Sequence, residues 1–282
     1  MSKGAMSVKA QIRNLAKKKN VKAQVLLQNF MFERFLERLS LSEHKDKFIL
    51  KGGMLIAAIV GIDARSTMYL DATLRGLPLT EENIYNTMNA ICSFPIQDDV
   101  TLAAGTIVPI RPNDIYCGYR VKITAVYDTI ETPFTVDISS GDVITPQPMM
   151  YTFRGILDEE KSIELWAYNI ETVLAEKLES TLSRSILNTR GRDFYDIFIL
   201  GTTQPYNAAL LNEALVATAA HRGTTEQIAD VSSVLKLIEE STDLRRMWDK
   251  YRKEFDYAES ITYEQVVEAL KDVVSCKLES NL

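Results

Sequence analysis

Between Val100 and Ile138 the chain carries three runs rich in Val, Ile, Thr and Tyr: Val100 to Arg111, Tyr119 to Tyr127 and Phe134 to Ile138, with Pro, Gly and Asp between them. β-Branched and aromatic residues bounded by turn formers specify strands. On either side of this block the apolar period changes. Before it, Val25, Leu26, Phe30, Phe32, Leu36 and Leu39 recur at three- and four-residue intervals, so Val8 to about Leu41 reads as two helices breaking near Asn20. After it, from Asn169 onward, almost everything is helix-patterned. Helices, then strands, then helices restrict the chain to an α+β fold, because a regular alternation of the two would be needed for an all-parallel α/β sheet.

The segment between the first helices and the strand block has its own punctuation. Phe48, Ile49 and Leu50 form a short apolar strand that runs into Gly52-Gly53 and an apolar helix from Met54 to Val60. Ser66 to Arg75 reads as a strand with Met68, Leu70, Ala72 and Leu74 on the packed face and Thr67, Tyr69, Asp71 and Thr73 on the other. Thr80-Glu81-Glu82 opens a helix through Ala90, and the three strands that follow extend the sheet in a mostly antiparallel way. Beyond Pro146 and Pro148 a loop region leads to Asn169, which caps the helix carrying Glu176 and Lys177. Thr224-x-x-Gln227 and Thr262-x-x-Gln265 are capping-box starts. The expected organisation is a helical segment over 1–45, a mixed-sheet core over 46–160 and a helical bundle over 161–282.

Composition removes several classes of function. With 46% hydrophobic and 25% charged residues, 12 Gly and 8 Pro, the 282-residue chain is neither low-complexity nor wholly disordered. No apolar run approaches the roughly 18 residues that span a bilayer. The first ten residues have lysines but no apolar segment behind them, so no secretory signal and a cytoplasmic location are expected. Cys92, Cys117 and Cys276 are odd in number and widely spaced, which supports neither a disulfide framework nor a zinc site, and Cys92 should simply pack. A net charge of −6 means that any polyanion must be met by a local patch. The N-terminal lysines read as a solvated helix face, and Arg184, Arg190 and Arg192 form a second basic cluster. His44 and His221 have no Ser or Cys partner at a readable spacing, so both are expected at the surface. Trp166 and Trp248 lie in helix-patterned sequence and are expected to pack.

A strand, a Gly-Gly turn and a helix let backbone amides face phosphate oxygens, since glycine removes the Cβ that would block approach. Carboxylates on neighbouring strands, here Asp71 and Asp137, can hold a divalent ion, and Mg²⁺ suits oxygen ligands shared with substrate phosphates. Each element alone has a plainer reading: a tight connection at Gly52-Gly53, a strand end at Asp137, a solvated strand face at Asp71, an exposed helix lysine at Lys177. Asp193 and Asp196 could simply pair with Arg190 or Arg192.

Their order along the chain resembles the AbiEii/AbiGii-type nucleotidyltransferase toxins of abortive-infection, toxin-antitoxin phage-defence systems. The motifs are Leu50-Lys51-Gly52-Gly53, Arg65-Ser66-Thr67, Leu70-Asp71, Val136-Asp137-Ile138-Ser139 with Gly141-Asp142, Ala175-Glu176-Lys177-Leu178, and Arg192-Asp193-Phe194-Tyr195-Asp196-Ile197. The resemblance implies a polymerase-β-like nucleotidyltransferase sheet with N-terminal helices and a C-terminal helical bundle. It also implies NMP transfer from an NTP, with Mg²⁺, to an acceptor such as tRNA or another RNA. Carried over, Gly52 and Gly53, with Lys51 and Arg65, would bind the nucleotide; Asp71 and Asp137 would hold metal; Lys177 would neutralise phosphate charge; Asp193 or Asp196 would organise the cations around it. A winged-helix antitoxin is implied as partner, while the lack of a long apolar run leads to the expectation of no membrane partner.

One position departs from the pattern: Tyr69 stands where the family has its first metal carboxylate. A neutral phenol cannot bridge two Mg²⁺ ions, so catalysis should be weak or absent. Asp and Tyr codons differ by one base, and a toxin active in its expression host favours an inactivating change, so the expectation is that Tyr69 replaces an aspartate through selection or design. The competing account is a natural pseudoenzyme that binds nucleotide as a sensor or partner dock. A metal nuclease fits less well, because a phosphate-cradling Gly-Gly and Lys serve a triphosphate donor better than a scissile strand.

Overall fold

The computed structural model describes residues 3–110 and 118–279. Arg111 and Cys117 lie outside the described residues, as do the side chains of Lys3 and Cys276. Two compact units are present: one runs through Asp142 and takes up Met149–Ala167, and the other combines Val143–Pro148 with the chain from Tyr168.

In the first unit, α1 (Lys3–Lys19) and α2 (Ala23–Leu41) are separated at Asn20, whose φ of +52° ends the first helix where the sequence places the break. There follow β1 (Phe48–Lys51), α3 (Gly52–Val60), β2 (Leu70–Leu74), α4 (Glu81–Cys92), β3 (Val100–Ile110), β4 (Gly118–Tyr127), β5 (Ile130–Ser140), β6 (Met149–Arg154) and β7 (Ser162–Ala167). The strands form one mixed sheet in the order β3-β4-β5-β2-β1-β7-β6. β2 runs parallel to β5 and β1 parallel to β7; the other neighbours are antiparallel. The antiparallel β3-β4-β5 extension matches the expectation from sequence.

Alternation separates the two faces of this sheet. Leu70, Ala72 and Leu74 of β2 and Phe134, Val136 and Ile138 of β5 are buried on one side. There α2 covers them, with Phe32 and Phe35 edge-on to Phe134 at centroid distances of 5.1 and 6.2 Å. Deleting a ring from such a packed trio costs about 3–5 kcal/mol. α4 packs beside α2 and against β3, its start capped by Thr80 Oγ1, which accepts from Asn83 N.

β6 and β7 correct the loop expected between Pro148 and Asn169. They form a hairpin whose second strand joins the sheet beside β1, and its turn is fixed by α2: Ile156 N donates to Glu33 Oε2 at 2.7 Å and Lys161 Nζ to Glu37 Oε2 at 2.6 Å. Those partners lie more than a hundred residues upstream, out of reach of a local pattern. Trp166 is accordingly on a strand rather than a helix, with Nε1 donating to Asp46 Oδ1 and Arg75 stacked on its ring. β2 is shorter than expected, and Met68, assigned to the packed face, is exposed because it precedes the strand. His44 is buried rather than at the surface; loss of hydration and then the Lys47 charge push its pKa down. His221 is half-buried.

The second unit is helical: α5 (Ile170–Arg184), α6 (Gly191–Thr203), α7 (Ala208–Arg222), α8 (Val231–Glu240), α9 (Thr242–Glu254) and α10 (Tyr263–Glu279). Asn169 caps α5 through Oδ1, which accepts from Thr172 N, and its amide donates to the carbonyls of Thr145 and Gln147 at 2.8 and 3.0 Å. That amide and the Thr172 hydroxyl, which accepts from Thr145 N and donates to Thr145 O, tie Val143–Pro148 to the start of α5. The Thr262/Gln265 box forms reciprocally. The Thr224 box does not: Gly223 ends α7 in the left-handed region, and the Thr224 hydroxyl donates to buried Glu179, so the next helix starts later under an Asp230 cap. Trp248 is fully buried, its Nε1 donating to Ile261 O.

Candidate active site

On the sheet face opposite α2, strand register sets four charged residues in one row: Lys51 on β1 pairs with Asp71 on β2, Asp71 with Asp137 on β5, and Asp137 with Arg120 on β4. Residues directly opposite on neighbouring strands share a face with Cβ atoms about 4.5–5.5 Å apart. The two aspartates are therefore side by side, flanked by a cation at each end.

Gly52 is shaped to this row. Its φ is +66°, and a Cβ there would overlap the Asp71 carboxylate, with Cγ only 2.8 Å away. Only glycine allows both the left-handed backbone and the close approach of that side chain. Gly53 has no positive φ, but its Cβ would lie 2.8 Å from Thr67 Oγ1 and 3.4 Å from Arg65 Nη2. Arg65 is 1% exposed, with Nη1 donating to the Ser66 carbonyl. Its geometry suits bracing the turn rather than reaching into solvent for a ligand.

At one end of the row, Lys51 Nζ donates to Asp142 Oδ2 at 2.7 Å and to Ser139 Oγ at 2.8 Å. Thr73 and Ser139 hydroxyls donate to the same carboxylate oxygen at 2.5 and 2.6 Å. Burial opposes ionisation of Asp142, but the Lys51 charge and these hydrogen bonds outweigh it and hold its pKa below the usual range. Thr73, expected on an open face, is buried by this network.

At the other end, Arg120 grips Asp137 with two hydrogen bonds, Nε to Oδ1 and Nη2 to Oδ2, both 2.7 Å. The Asp137 hydrogen bond and charge, with smaller contributions from Tyr69 and Asp71, raise the guanidinium's already high pKa. Arg120 is the residue the sequence reading missed. It is exposed beside buried Val121, and only the β4–β5 register pairs it with Asp137. Tyr69 lies just before β2, 44% exposed, its N–H donating to Thr67 Oγ1 at 3.2 Å. Among the described residues no three His, Cys, Asp or Glu side chains converge as a ligand set.

The helical unit holds a separate cluster. Lys177 Nζ lies 2.8 Å from Asp193 Oδ1 and 3.0 Å from Asp196 Oδ2, with both aspartates buried, and Ser180 Oγ is within 3.4 Å of Asp193 Oδ2. Lys177 is thus a lysine fixed across α5 and α6, not an open helix side chain. Arg184 and Arg190 are exposed, Arg192 half-buried.

Residues 34–272 match the family model described as nucleotidyl transferase AbiEii toxin, type IV TA system. No curated protein matches. Among solved structures, an H. pylori protein assigned to the nucleotidyltransferases aligns at TM-score 0.51 and 14% identity over 91% of this chain and 97% of its own. JHP933 from Helicobacter pylori aligns at 0.49 and 15% over 92% and 95%, and an antigenic nucleotidyltransferase-like protein from Paracoccidioides brasiliensis at 0.39 and 15% over 77% and 94%. The first of these supports the nucleotidyltransferase fold.

Proposed function

Because the chain belongs to the AbiEii family of nucleotidyltransferase toxins, we propose that its row of Asp71 and Asp137 beside Gly52-Gly53 binds an NTP and directs transfer of NMP to an RNA acceptor, tRNA foremost. A toxin of this family acts with an antitoxin partner, here read as a winged-helix protein encoded alongside it, in phage defence in the cytoplasm. Among the described residues no helix is long and apolar enough to cross a membrane. The observation that carries the reading is the in-register Asp71–Asp137 pair closed on one side by a glycine with no room for a side chain.

Nucleotidyltransferases of this family generally use a divalent metal. Two carboxylates from adjacent strands fit one Mg²⁺ whose remaining positions go to water and phosphate oxygens. They fall one carboxylate short of a two-ion bridge, since Tyr69 stands at the family's first metal-carboxylate position. Asp71 and Asp137 would hold the ion, which would neutralise charge on the transferring phosphate. Gly52 and Gly53 leave the turn's amides open to phosphate, with Lys51 beside them and Arg65 behind. In the helical unit Asp193 and Asp196 hold and orient Lys177.

The test is label transfer from α-labelled NTPs to a tRNA pool, alongside growth arrest on induction. The unaltered chain is expected to transfer slowly or not at all, and Tyr69→Asp to restore transfer and toxicity, with Asp71→Asn added to Tyr69→Asp abolishing both. A Tyr69→Asp chain that neither transfers label nor arrests growth overturns the transferase reading. Tyr69 and the Arg120 grip on Asp137 favour a second reading, a nucleotide-binding pseudoenzyme, which that result together with tight NTP binding would support. Shortened rather than extended RNA would indicate a nuclease.

A further inference from the structure

Both oxygens of Asp137 are occupied by the Arg120 guanidinium in a planar, two-bond geometry. Each oxygen has given a lone pair to the fork, so a divalent ion approaching Asp137 competes with the arginine for it. Arg120 is itself 44% exposed while Asp137 is 20%, so the cation is the more exposed half of the pair and opening it exposes charge to water rather than stranding it in the core. Arg120 lies directly opposite Asp137 in the β4–β5 register, one strand from Asp71 and inside the edge strand β3, so it borders the aspartate pair rather than the sheet's margin.

Two ligands of opposite charge would each relieve one half of the broken pair. A divalent ion alone leaves Arg120 without its carboxylate and beside a new positive charge. A triphosphate alone leaves Asp137 bare next to incoming negative charge. Arriving together they re-pair everything: Asp137 exchanges Arg120 for the ion as Arg120 takes up a phosphate oxygen, for which its fork geometry is suited. Resting on the nucleotide-binding reading above, we propose that Arg120 is a resident counter-cation of the site, a positioning residue that couples divalent-metal binding to nucleotide binding by competing for Asp137. The site is closed by an arginine when empty and opened by the metal-nucleotide pair.

Linkage makes this measurable, because a nucleotide that raises metal affinity by some factor must have its own affinity raised by the metal by the same factor. The experiment is Mn²⁺ titration by electron paramagnetic resonance and calorimetry on the full chain, with and without a nucleoside triphosphate analogue blocked at the α,β bridge. It is run for the unaltered protein, Arg120→Gln, Arg120→Lys and Asp137→Asn, each first checked by its thermal melt. In Arg120→Gln, Mn²⁺ alone is expected to bind about tenfold more tightly than in the unaltered chain, and the nucleotide-linked gain to fall by a similar factor. Arg120→Lys, which keeps the charge but not the fork, should lie between. Asp137→Asn should lose both the metal and the coupling. Equal Mn²⁺ affinity and equal coupling in the unaltered protein and Arg120→Gln overturn the proposal while leaving nucleotide binding intact. A chain that binds no nucleotide at any Mn²⁺ concentration overturns both this and the reading it rests on.

Discussion

Gly52 has no substitute at its place in the chain. An alanine there would carry left-handed strain of about 1–2 kcal/mol and would drive its Cβ into the Asp71 carboxylate. Gly52→Ala is therefore expected to lower the thermal midpoint and to abolish Mn²⁺ binding together, whereas the same change at Gly141, which has a positive φ but nothing near its Cβ, should lower the midpoint alone. Differential scanning calorimetry and a metal titration on the two variants check this. His44 sets a pH dependence. Its folded pKa is depressed, so the unfolded state binds more protons below the unperturbed value, and stability should fall as pH drops through about 6.5. Urea midpoints between pH 7.5 and 5.5 should drop, and His44→Gln should flatten the decline; an unchanged slope would rule the residue out. Asp142 acts lower on the scale: its depressed folded pKa contributes stability present above about 3.9 and lost as pH falls further. Composition and spacing made Asp71, Asp137 and the glycine pair visible as candidates. They could not show that Arg65 is buried, that Thr73 is locked onto Asp142, or that Arg120 holds Asp137, because each depends on a neighbour contributed by another strand or loop.

Where an element's ends are written in its own residues, they were readable. Thr80, Asn169 and the Thr262/Gln265 pair all cap the helices they precede. Asn169 does more than cap, since its amide also satisfies two carbonyls of the 143–148 segment. Thr80→Ala should cost about 1 kcal/mol, the ordinary loss of a cap, and Asn169→Ala clearly more. Equal losses in chemical denaturation would mean that the Thr145 and Gln147 bonds contribute nothing. β6 escaped the pattern because Met149 to Arg154 has no clear alternation, and β7 because the buried Ile163, Leu165 and Ala167 alternate over only six residues. They become strands by pairing with each other and with β1, and by Glu33 and Glu37 of α2 fixing their turn. Removing that tie with Glu33→Ala leaves Ile156 N without its acceptor, and amide exchange should quicken across β6 and β7 before it does in β4 and β5.

The chain passes between the two units at three points, after Asp142, Pro148 and Ala167, so neither unit is a single stretch of sequence. A fragment ending at residue 142 lacks β6 and β7 and leaves the outer side of β1 as an unpaired apolar edge. It is expected to aggregate on size-exclusion chromatography where the full chain does not. A well-behaved monomeric fragment would show that β1 is protected by other means. The sequence by itself determined the class of fold, the break at Asn20, the caps at Thr80, Asn169 and Thr262 and the family's motifs, all of which follow from hydrophobic period and turn chemistry within a few residues. The tertiary structure alone decided that β2 lies parallel to β5, and with it that residues 71 and 137 share a row with residues 51 and 120. Strand register is fixed by packing between distant segments, and a slip of one residue would send every side chain of a strand to the opposite face.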